Sequence, residues 1–353
     1  MPRVAGVDPG TVSFDLCVLQ DGVAEVEREF ETRGGLGGIV GELSRHGPYD
    51  LVYGPSGYGL PLVGAADVGE RELAEMVLVV PREAARERGI GGMRALLREL
   101  AGSGLPLVFG PGVIHLPSVP AHRKYNRIDM GTADKVCAAA SAVADQAARR
   151  GVGPADTSLV LLELGGAFAA ALAIAGGAIV DGVGGSSGPI GVRAVGALDG
   201  ELAYLLGDAL TKQTLFTGGA LDPDGVGRIE DFARAWDAEE DREGWTALLE
   251  SAAKAVRALR VALPEPHEIV VSGRVGRVPG VVAALGALLY DVAPVTAPPP
   301  GPGSAAARGA ALLADGLAGG ARAPLVEAMR LREATGSVLH HLRVAGAGSI
   351  VLG

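Results

Sequence analysis

Residues 3–10 read RVAGVDPG and residues 159–166 read LVLLELGG. Each stretch is a largely apolar run that ends in a carboxylate, with a glycine two positions later. Short apolar runs bounded by turn-forming residues predict buried β-strands. The two stretches therefore predict two strands that each deliver a carboxylate, Asp8 or Glu163, to a glycine turn.

Each stretch opens a predicted meander of three strands. The turn between the second and third strand lies 14 residues after the carboxylate in both cases, from Asp8 to Gly22 and from Glu163 to Gly177. Asp-Gly and Gly-Gly between apolar runs are strong hairpin signals. The equal spacing predicts that the chain contains two halves of related architecture.

The chain has 353 residues, which is enough for two domains. Pro154 and the glycines around it form the best boundary, which predicts domains of residues 1–153 and 154–353. A last helix near residues 324–333 and a strand at Val338–Val344 are predicted to close the chain. We expect this last helix and strand to pack back on the first domain.

The composition excludes several classes of protein. Hydrophobic residues make up 48% and charged residues 20%, as in a globular chain, and a net charge of −10 argues against nucleic acid as a partner. The two cysteines lie far apart, and the first residues show no basic-then-apolar leader, so we expect a cytoplasmic location. Residues 159–180 are long enough to span a membrane, but glycine pairs divide them. We interpret them as strands and expect no membrane association.

The turn after Asp8 suits a nucleotide. A carboxylate at a strand end, beside backbone amides in a glycine turn, can hold hydrated magnesium next to phosphates. Gly10 would admit a phosphate, and the hydroxyls of Thr11 and Ser13 would donate to it. An ordinary hairpin explains the same residues, because Asp-Pro-Gly is a good turn in its own right.

Glu163 repeats this arrangement in the second half, with Gly165 and Gly166 behind it. A lone carboxylate in an apolar run is costly without a partner, so Glu163 is a candidate for a second magnesium-facing group. Glycines are abundant in this chain, however, so glycine clusters alone indicate little.

A third turn, Ser272-Gly273-Arg274, follows a predicted strand and precedes a helix. A nucleotide can lie against the backbone of such a turn, with the arginine stacking on it or pairing with it. A plain connection between strand and helix is the alternative interpretation.

The segment KYNRIDMGTADK, residues 124–135, is the most informative. It holds the only asparagine and two of the four lysines in a chain with 27 arginines. Residues that a composition disfavours are retained where something requires them. Asp129 or Asp134 would orient or deprotonate a nucleophile, and Arg127 or Lys135 would neutralise phosphoryl charge. A helix capped by Asp129 is the structural alternative.

Two nucleotide-binding motifs are absent. No Gly-Lys pair occurs, so the chain has no Walker A loop, and no strict G-x-G-x-x-G occurs, which disfavours a dinucleotide fold.

Two meanders with acidic glycine turns, followed by a late Ser-Gly turn, resemble the superfamily of acetate and sugar kinases, heat-shock chaperone ATPases and actin. In that superfamily the three turns are two phosphate loops and an adenosine loop, here residues 8–13, 163–167 and 272–276. Segment 126–135 and the chain length resemble a largely archaeal family labelled predicted butyrate kinase. One departure is that Glu163 stands where acetate and butyrate kinases usually carry a histidine.

The resemblance implies an α/β fold of two ribonuclease-H-like, actin-like ATPase domains with a central interdomain cleft that binds ATP and Mg²⁺. Asp8 and Glu163 would face the metal through water. The nucleotide would be held by Asp8, Gly10, Thr11, Ser13, Gly165, Gly166, Ser272, Gly273 and Arg274. The expected catalytic residues are Arg127, Asp129, Asp134 and Lys135.

The implied activity is an ATP-dependent phosphotransferase that acts on a small carboxylate or hydroxyl acceptor, as a butyrate kinase would. The alternative is an ATP-binding regulatory or assembly protein of the same fold, with little or no kinase activity. A carbamoyl-type transferase is a third reading, but the histidine-based metal site of that branch is not found. Expected partners are a nucleotide, a small-molecule acceptor and a second copy of the chain in a homodimer.

Overall fold

The computed structural model describes residues 2–10, 13–31, 38–84, 90–221, 229–298 and 301–353. The first sheet contains the strands β1 (Arg3–Pro9), β2 (Ser13–Gln20), β3 (Val23–Glu31), β4 (Leu51–Gly54), β5 (Val63–Gly64) and β6 (Leu107–Phe109). Its order is β3-β2-β1-β4-β6-β5, with antiparallel pairing through β1–β2–β3 and parallel pairing of β1, β4 and β6.

The second sheet contains the strands β7 (Ser158–Leu164), β8 (Ala169–Ala175), β9 (Ala178–Val183), β10 (Glu268–Ser272) and β11 (Val295–Thr296). Its order from the meander outward is β9-β8-β7-β10-β11, which repeats the order β3-β2-β1-β4-β6 of the first sheet. The predicted duplication is therefore confirmed strand by strand. The apolar stretch that imitates a membrane span forms β7, β8 and the start of β9.

The helices are α1 (Ile39–His46), α2 (Glu70–Val77), α3 (Pro81–Ala84), α4 (Ile90–Ala101), α5 (Ala133–Arg150), α6 (Gly200–Leu206), α7 (Ile229–Asp237), α8 (Arg242–Leu259), α9 (Pro279–Leu288), α10 (Ala305–Leu317) and α11 (Ala323–Ala328). Across the described ranges, none of them is long and apolar enough to cross a membrane.

Helices cover both faces of each sheet. Alternate residues of β7 point to two different cores, since Leu159 and Leu161 pack with α5 and α10 while Val160 and Leu162 pack with α8 and α9. β1 shows the same alternation of period two. Strands that are buried on both faces have continuous apolar sequences, which explains runs such as LVLL. The layers are helices, the first sheet, the helix pair α5 and α10, the second sheet and helices.

Helices α5 and α10 fit between the two sheets because small residues make their contacts. A Cβ on Gly6 of β1 would overlap the backbone of α10 at Ala311, and a Cβ on Gly309 of α10 would overlap the carbonyl of Cys137 in α5. Glycine at these two positions allows the backbones to touch. The close approach brings α10, from the end of the chain, onto β1 of the first sheet.

The prediction of a strand at Val338–Val344 is wrong, because these residues form turns. The amides of Arg343 and Val344 donate to the side-chain oxygen of Asn126 at 2.7 and 3.2 Å, instead of to a strand edge. The helix predicted near residues 324–333 is also shorter and ends at Ala328. The last residue, Gly353, donates to the carbonyl of Val79 at 2.8 Å.

Candidate functional site

A cavity of about 670 Å³ opens where the carboxyl ends of β1, β7 and β10 face each other. We call it the cleft. Parallel pairing of β7 with β10 places Ser272 beside Glu163, so two predicted turns meet at one sheet edge. The predicted site residues that line the cleft are Asp8, Gly10, Asp134, Lys135, Glu163, Gly165, Gly166, Ser272, Gly273 and Arg274. Residues separated by more than 260 positions in sequence thus converge on one space.

Lys135 lines the cleft and joins two of its carboxylates. Its ammonium donates to Glu163 Oε1 at 3.0 Å and also to Asp134, whose other oxygen accepts from the Thr132 hydroxyl. Thr132 is the residue before α5, so the first turn of this helix delivers Asp134 and Lys135 together. The second oxygen of Glu163 is buried and has no hydrogen-bond partner among the described residues.

Burial and ion pairing shift the pKa values of Lys135, Asp134 and Glu163 in opposite directions. Burial acts to lower the pKa of Lys135, but Asp134 and Glu163 outweigh it and hold that pKa above its usual value. Burial acts to raise the pKa of Asp134, but Lys135 and Thr132 outweigh it and hold that pKa below its usual value. For Glu163 burial prevails over Lys135 and raises the pKa to about 7. The cluster therefore contains a fixed cation, a fixed anion and one carboxyl group that titrates near neutrality.

Asp8 has a different environment. The Ser304 hydroxyl donates to Asp8 Oδ2 at 2.7 Å, and the Ser304 amide donates to Asp15 Oδ1 at 3.0 Å. Burial and then Asp134 raise the pKa of Asp8. Burial, Asp8 and Glu29 raise the pKa of Asp15 to about 7. Asp15 and Ser304 line the cleft, and the sequence analysis missed both.

The turn of Ser272, Gly273 and Arg274 packs directly on the turn that follows Glu163. Gly273 has φ of 83°, and a Cβ there would overlap the carbonyl of Leu164. Only glycine allows this contact in this conformation. Ser272 is 5% exposed and lines the cleft, and its hydroxyl oxygen is buried without a hydrogen-bond partner in the described ranges.

Four arginines line the cleft besides the lysine. Arg274 pairs with Glu29 Oε1 at 2.6 Å across the two halves, so its predicted nucleotide contact would compete with an ion pair. Arg277 donates to the carbonyls of Gly301 and Gly303. The remaining two are Arg193 and Arg308. No sequence pattern marked Arg193, Arg277 or Arg308, because arginine is common throughout this chain.

The structure does not bring Arg127 and Asp129 to the cleft, since neither is among the residues that line it. Arg127 is exposed. The carboxylate of Asp129 is buried and accepts from the Gly131 amide at 3.1 Å and from the Ser186 amide and hydroxyl at 2.9 Å. Asp129 thus anchors the glycine-rich loop that contains Ser186, and it does not cap α5, which begins after Thr132.

The structure does not test the prediction that the hydroxyls of Thr11 and Ser13 donate to a phosphate. Thr11 lies outside the described residues, and Ser13 is described only as the first residue of β2.

The sequence family described as "Protein of unknown function (DUF1464)" matches residues 6–344. The chain belongs to the DUF1464 family. A search among curated proteins by sequence finds no match. The family description names no activity, so the resemblance to predicted butyrate kinase stays a prediction.

Solved structures show the same fold in kinases of small carboxylates. A propionate kinase from Francisella tularensis matches with TM-score 0.57 and 13% identity over 82% of this chain and 88% of that one. An acetate kinase from Entamoeba histolytica matches with TM-score 0.56 and 11% identity over 82% and 87%. An acetate kinase from Porphyromonas gingivalis matches with TM-score 0.54 and 16% identity over 78% and 84%. The DUF1464 chain therefore has the same fold as these acetate and propionate kinases, as expected.

The carboxylates of this DUF1464 chain fit a hydrated magnesium ion better than a fully protein-bound one. Within the described ranges, no three His, Cys, Asp or Glu side chains are grouped so that they could hold a metal ion. Magnesium commonly keeps several waters and takes one or two carboxylates plus substrate phosphates. The unbonded buried oxygen of Glu163 and the Asp8 carboxylate, which reach the cleft from different sheets, suit that mode.

Proposed function

We propose that the protein is an ATP- and Mg²⁺-dependent phosphotransferase whose acceptor is a small carboxylate or hydroxyl compound. One observation carries this proposal: the ends of β1, β7 and β10 bring two carboxylate–glycine turns, the late glycine turn and the Asp134–Lys135 pair to one cleft. A fold shared with acetate and propionate kinases supports it. An acceptor like that of a butyrate kinase is the specific form of the proposal.

The nucleotide would lie along the glycine turns. Gly10, Gly165 and Gly166 would face phosphates, Ser272 would donate its free hydroxyl, and Gly273 would face the adenosine side. Asp8 and Glu163 would hold waters of the magnesium ion, which neutralises charge on the β- and γ-phosphates when bound. Residues 1–153 and 154–353 would be the two domains that close on this ligand and exclude water.

Phosphoryl transfer would occur beside α5. Asp134 is ionised and held by Lys135 and Thr132, so it would orient a hydroxyl nucleophile and accept its proton. Lys135 would offset the charge that develops on the transferred group. Arg193 lines the cleft, and its amide donates to the carbonyl of Ala167 behind the second glycine turn, so its side chain would be the arginine offered to a carboxylate acceptor.

The test is acceptor-dependent ADP formation. Short carboxylates would be screened with hydroxylamine present to trap an acyl phosphate, and short alcohols and polyols would be screened by ADP release. Asp134→Asn should keep ATP binding and lose turnover, while Asp231→Asn, at an ion pair with Arg234 on α7 and outside the cleft lining, should keep both. ATP binding that no acceptor converts into turnover above hydrolysis would contradict the kinase.

One observation favours the alternative of an ATP-binding regulatory or assembly protein. The Lys135 ammonium is shared by two carboxylates, which leaves less of its charge for a phosphoryl group. Such a protein would hydrolyse ATP slowly, would not respond to acceptors, and would retain a protein partner only in one nucleotide state. A nucleotide-dependent pull-down together with an acceptor-independent rate would favour this alternative over the kinase.

A further inference from the structure

Three carboxylates lie directly opposite one another across the first meander. Asp8 of β1 pairs in register with Asp15 of β2, and Asp15 pairs in register with Glu29 of β3. Like charges at directly opposed positions destabilise a sheet. Two groups compensate for this row at the cleft: Arg274 pairs with Glu29, and Ser304 binds both aspartates.

The amide and the hydroxyl of Ser304 together make three hydrogen bonds with defined directions. Its amide donates to Asp15 Oδ1 at 3.0 Å, its hydroxyl donates to Asp8 Oδ2 at 2.7 Å, and its hydroxyl oxygen accepts from the Ala307 amide at 3.0 Å. A hydroxyl has a single proton, so the bond from Ala307 leaves that proton for Asp8. The Ser304 hydroxyl thus stabilises the ionised form of Asp8 and fixes one of its two oxygens.

Ser304 is itself held firmly. It is the residue before α10, and α10 touches β1 through the glycine contact at Gly6. On its other side, Arg277 donates to the carbonyls of Gly301 and Gly303. The hydroxyl therefore reaches Asp8 from a rigid helix end, across 296 positions in sequence.

We propose that Ser304 is the positioning residue for Asp8: it fixes Oδ2 of Asp8 so that Oδ1 is directed to the waters of the magnesium ion bound with the nucleotide. The inference rests on the proposed function, because it takes Asp8 as a magnesium-facing group. Ser304 acts on the metal only through Asp8, and its loss changes how much magnesium adds to nucleotide affinity. ADP affinity without magnesium is unchanged.

The experiment is calorimetric titration of the full chain with ADP, with and without MgCl₂. Wild-type protein should bind ADP more tightly with magnesium. Ser304→Ala and Ser304→Gly should each reduce that gain by about tenfold, the effect of one hydrogen bond to a charged group, and leave the magnesium-free affinity unchanged. Ser304→Thr, which keeps the hydroxyl, should restore the gain. Glycine is tolerated before a helix, so Ser304→Gly keeps the fold if Ser304→Ala weakens α10.

Asp199→Ala is the matched control, because Asp199 caps α6 through the amides of Glu201 and Leu202 away from the cleft. It should lower the melting temperature and leave the magnesium gain intact. A full magnesium gain in Ser304→Gly, or an equal loss of ADP affinity with and without magnesium, overturns the positioning role. A wild-type chain that fails to bind ADP, or that gains nothing from magnesium, overturns the proposed function and the positioning role with it.

Discussion

The turn after β1 and the turn after β7 occupy equivalent places in two related sheets, yet their carboxylates are balanced differently. Asp8 is held by a neutral hydroxyl from Ser304 and is opposed by Asp15. Glu163 is held by the Lys135 ammonium, which also binds Asp134. The first turn has excess negative charge, whereas the second turn is partly neutralised by an internal cation.

The difference separates two roles. An excess of negative charge beside a glycine turn favours an incoming cation, which suits the magnesium ion of a nucleotide. A buried ammonium between two carboxylates instead ties α5 to β7 and makes the second turn part of the stability of the fold. Removing Lys135 should therefore cost stability as well as function, whereas removing Asp8 should cost ligand binding and not stability.

The largest effect is expected at Lys135. Lys135→Met leaves the partly buried carboxylates of Asp134 and Glu163 without their cation. Removing one partner of a fully buried ion pair costs about 3–5 kcal/mol, and the partial exposure of Asp134 should keep this loss at or below about 3 kcal/mol. Urea unfolding of the ligand-free chain measures this loss. Lys254→Met, which breaks an exposed pair with Glu250, is the control and should change stability little. A similar small change for both variants would contradict the structural role of the second turn.

The second effect is a pH dependence of stability. Folding raises the pKa of Glu163 from 4.5 to about 7, so the folded state binds this proton more tightly than the unfolded state. The resulting stability is complete below pH 4.5 and is lost as the pH rises towards 7, by about 3 kcal/mol. Glu163→Gln should reduce the slope in this window, and the slope that remains belongs to Asp15, whose pKa is also raised to about 7. An unchanged slope in the variant would show that Glu163 does not carry the proton.

The third effect concerns ligand binding at the first turn. Asp8→Asn removes charge beside Asp15 without changing shape, so ligand-free stability should hold or rise. The stabilisation by Mg-ATP, about 2.7 kcal/mol at a hundredfold excess over its dissociation constant, should disappear. Thermal unfolding with and without ligand measures both. Asp50→Asn, before β4 and thus at the opposite end of the same sheet, should keep the ligand effect.

The smallest effect is expected outside both turns. Arg127 is exposed and does not line the cleft, so Arg127→Ala should change stability by less than about 0.5 kcal/mol and leave nucleotide affinity unchanged. Thermal unfolding and ADP titration check this. A clear loss of turnover in this variant would instead support the catalytic role that the sequence pattern suggested.

The architecture follows from local sequence signals. Apolar runs of strand length, with turn residues at equal spacing, identify both meanders, and the alanine-rich stretch after Met130 identifies α5. The conformation of the C-terminal residues does not follow from such signals. Val338–Val344 has strand-like composition, but its amides bind the side chain of Asn126, a contact that spans more than 200 positions.

Residue types that are rare in this sequence pointed to Lys135, which lines the cleft, but also to Asn126, which does not. Lys135 is retained because it bridges two buried carboxylates. Asn126 is retained for a structural reason, since it adopts φ of 55°, which asparagine tolerates, and holds the chain end. Asp15 is a common residue type, so rarity could not flag it. Only the register of β1 with β2 places it opposite Asp8.

Calorimetric titration of the wild-type chain with Mg-ATP, run in parallel on Asp8→Asn, tests whether the cleft binds a nucleotide through Asp8. We expect saturable binding at one site in the wild type and loss of that binding in the variant, with both proteins equally folded. Equal affinity in the two proteins would remove Asp8 from the site. Absence of binding by the wild-type chain at millimolar Mg-ATP would contradict the nucleotide cleft itself.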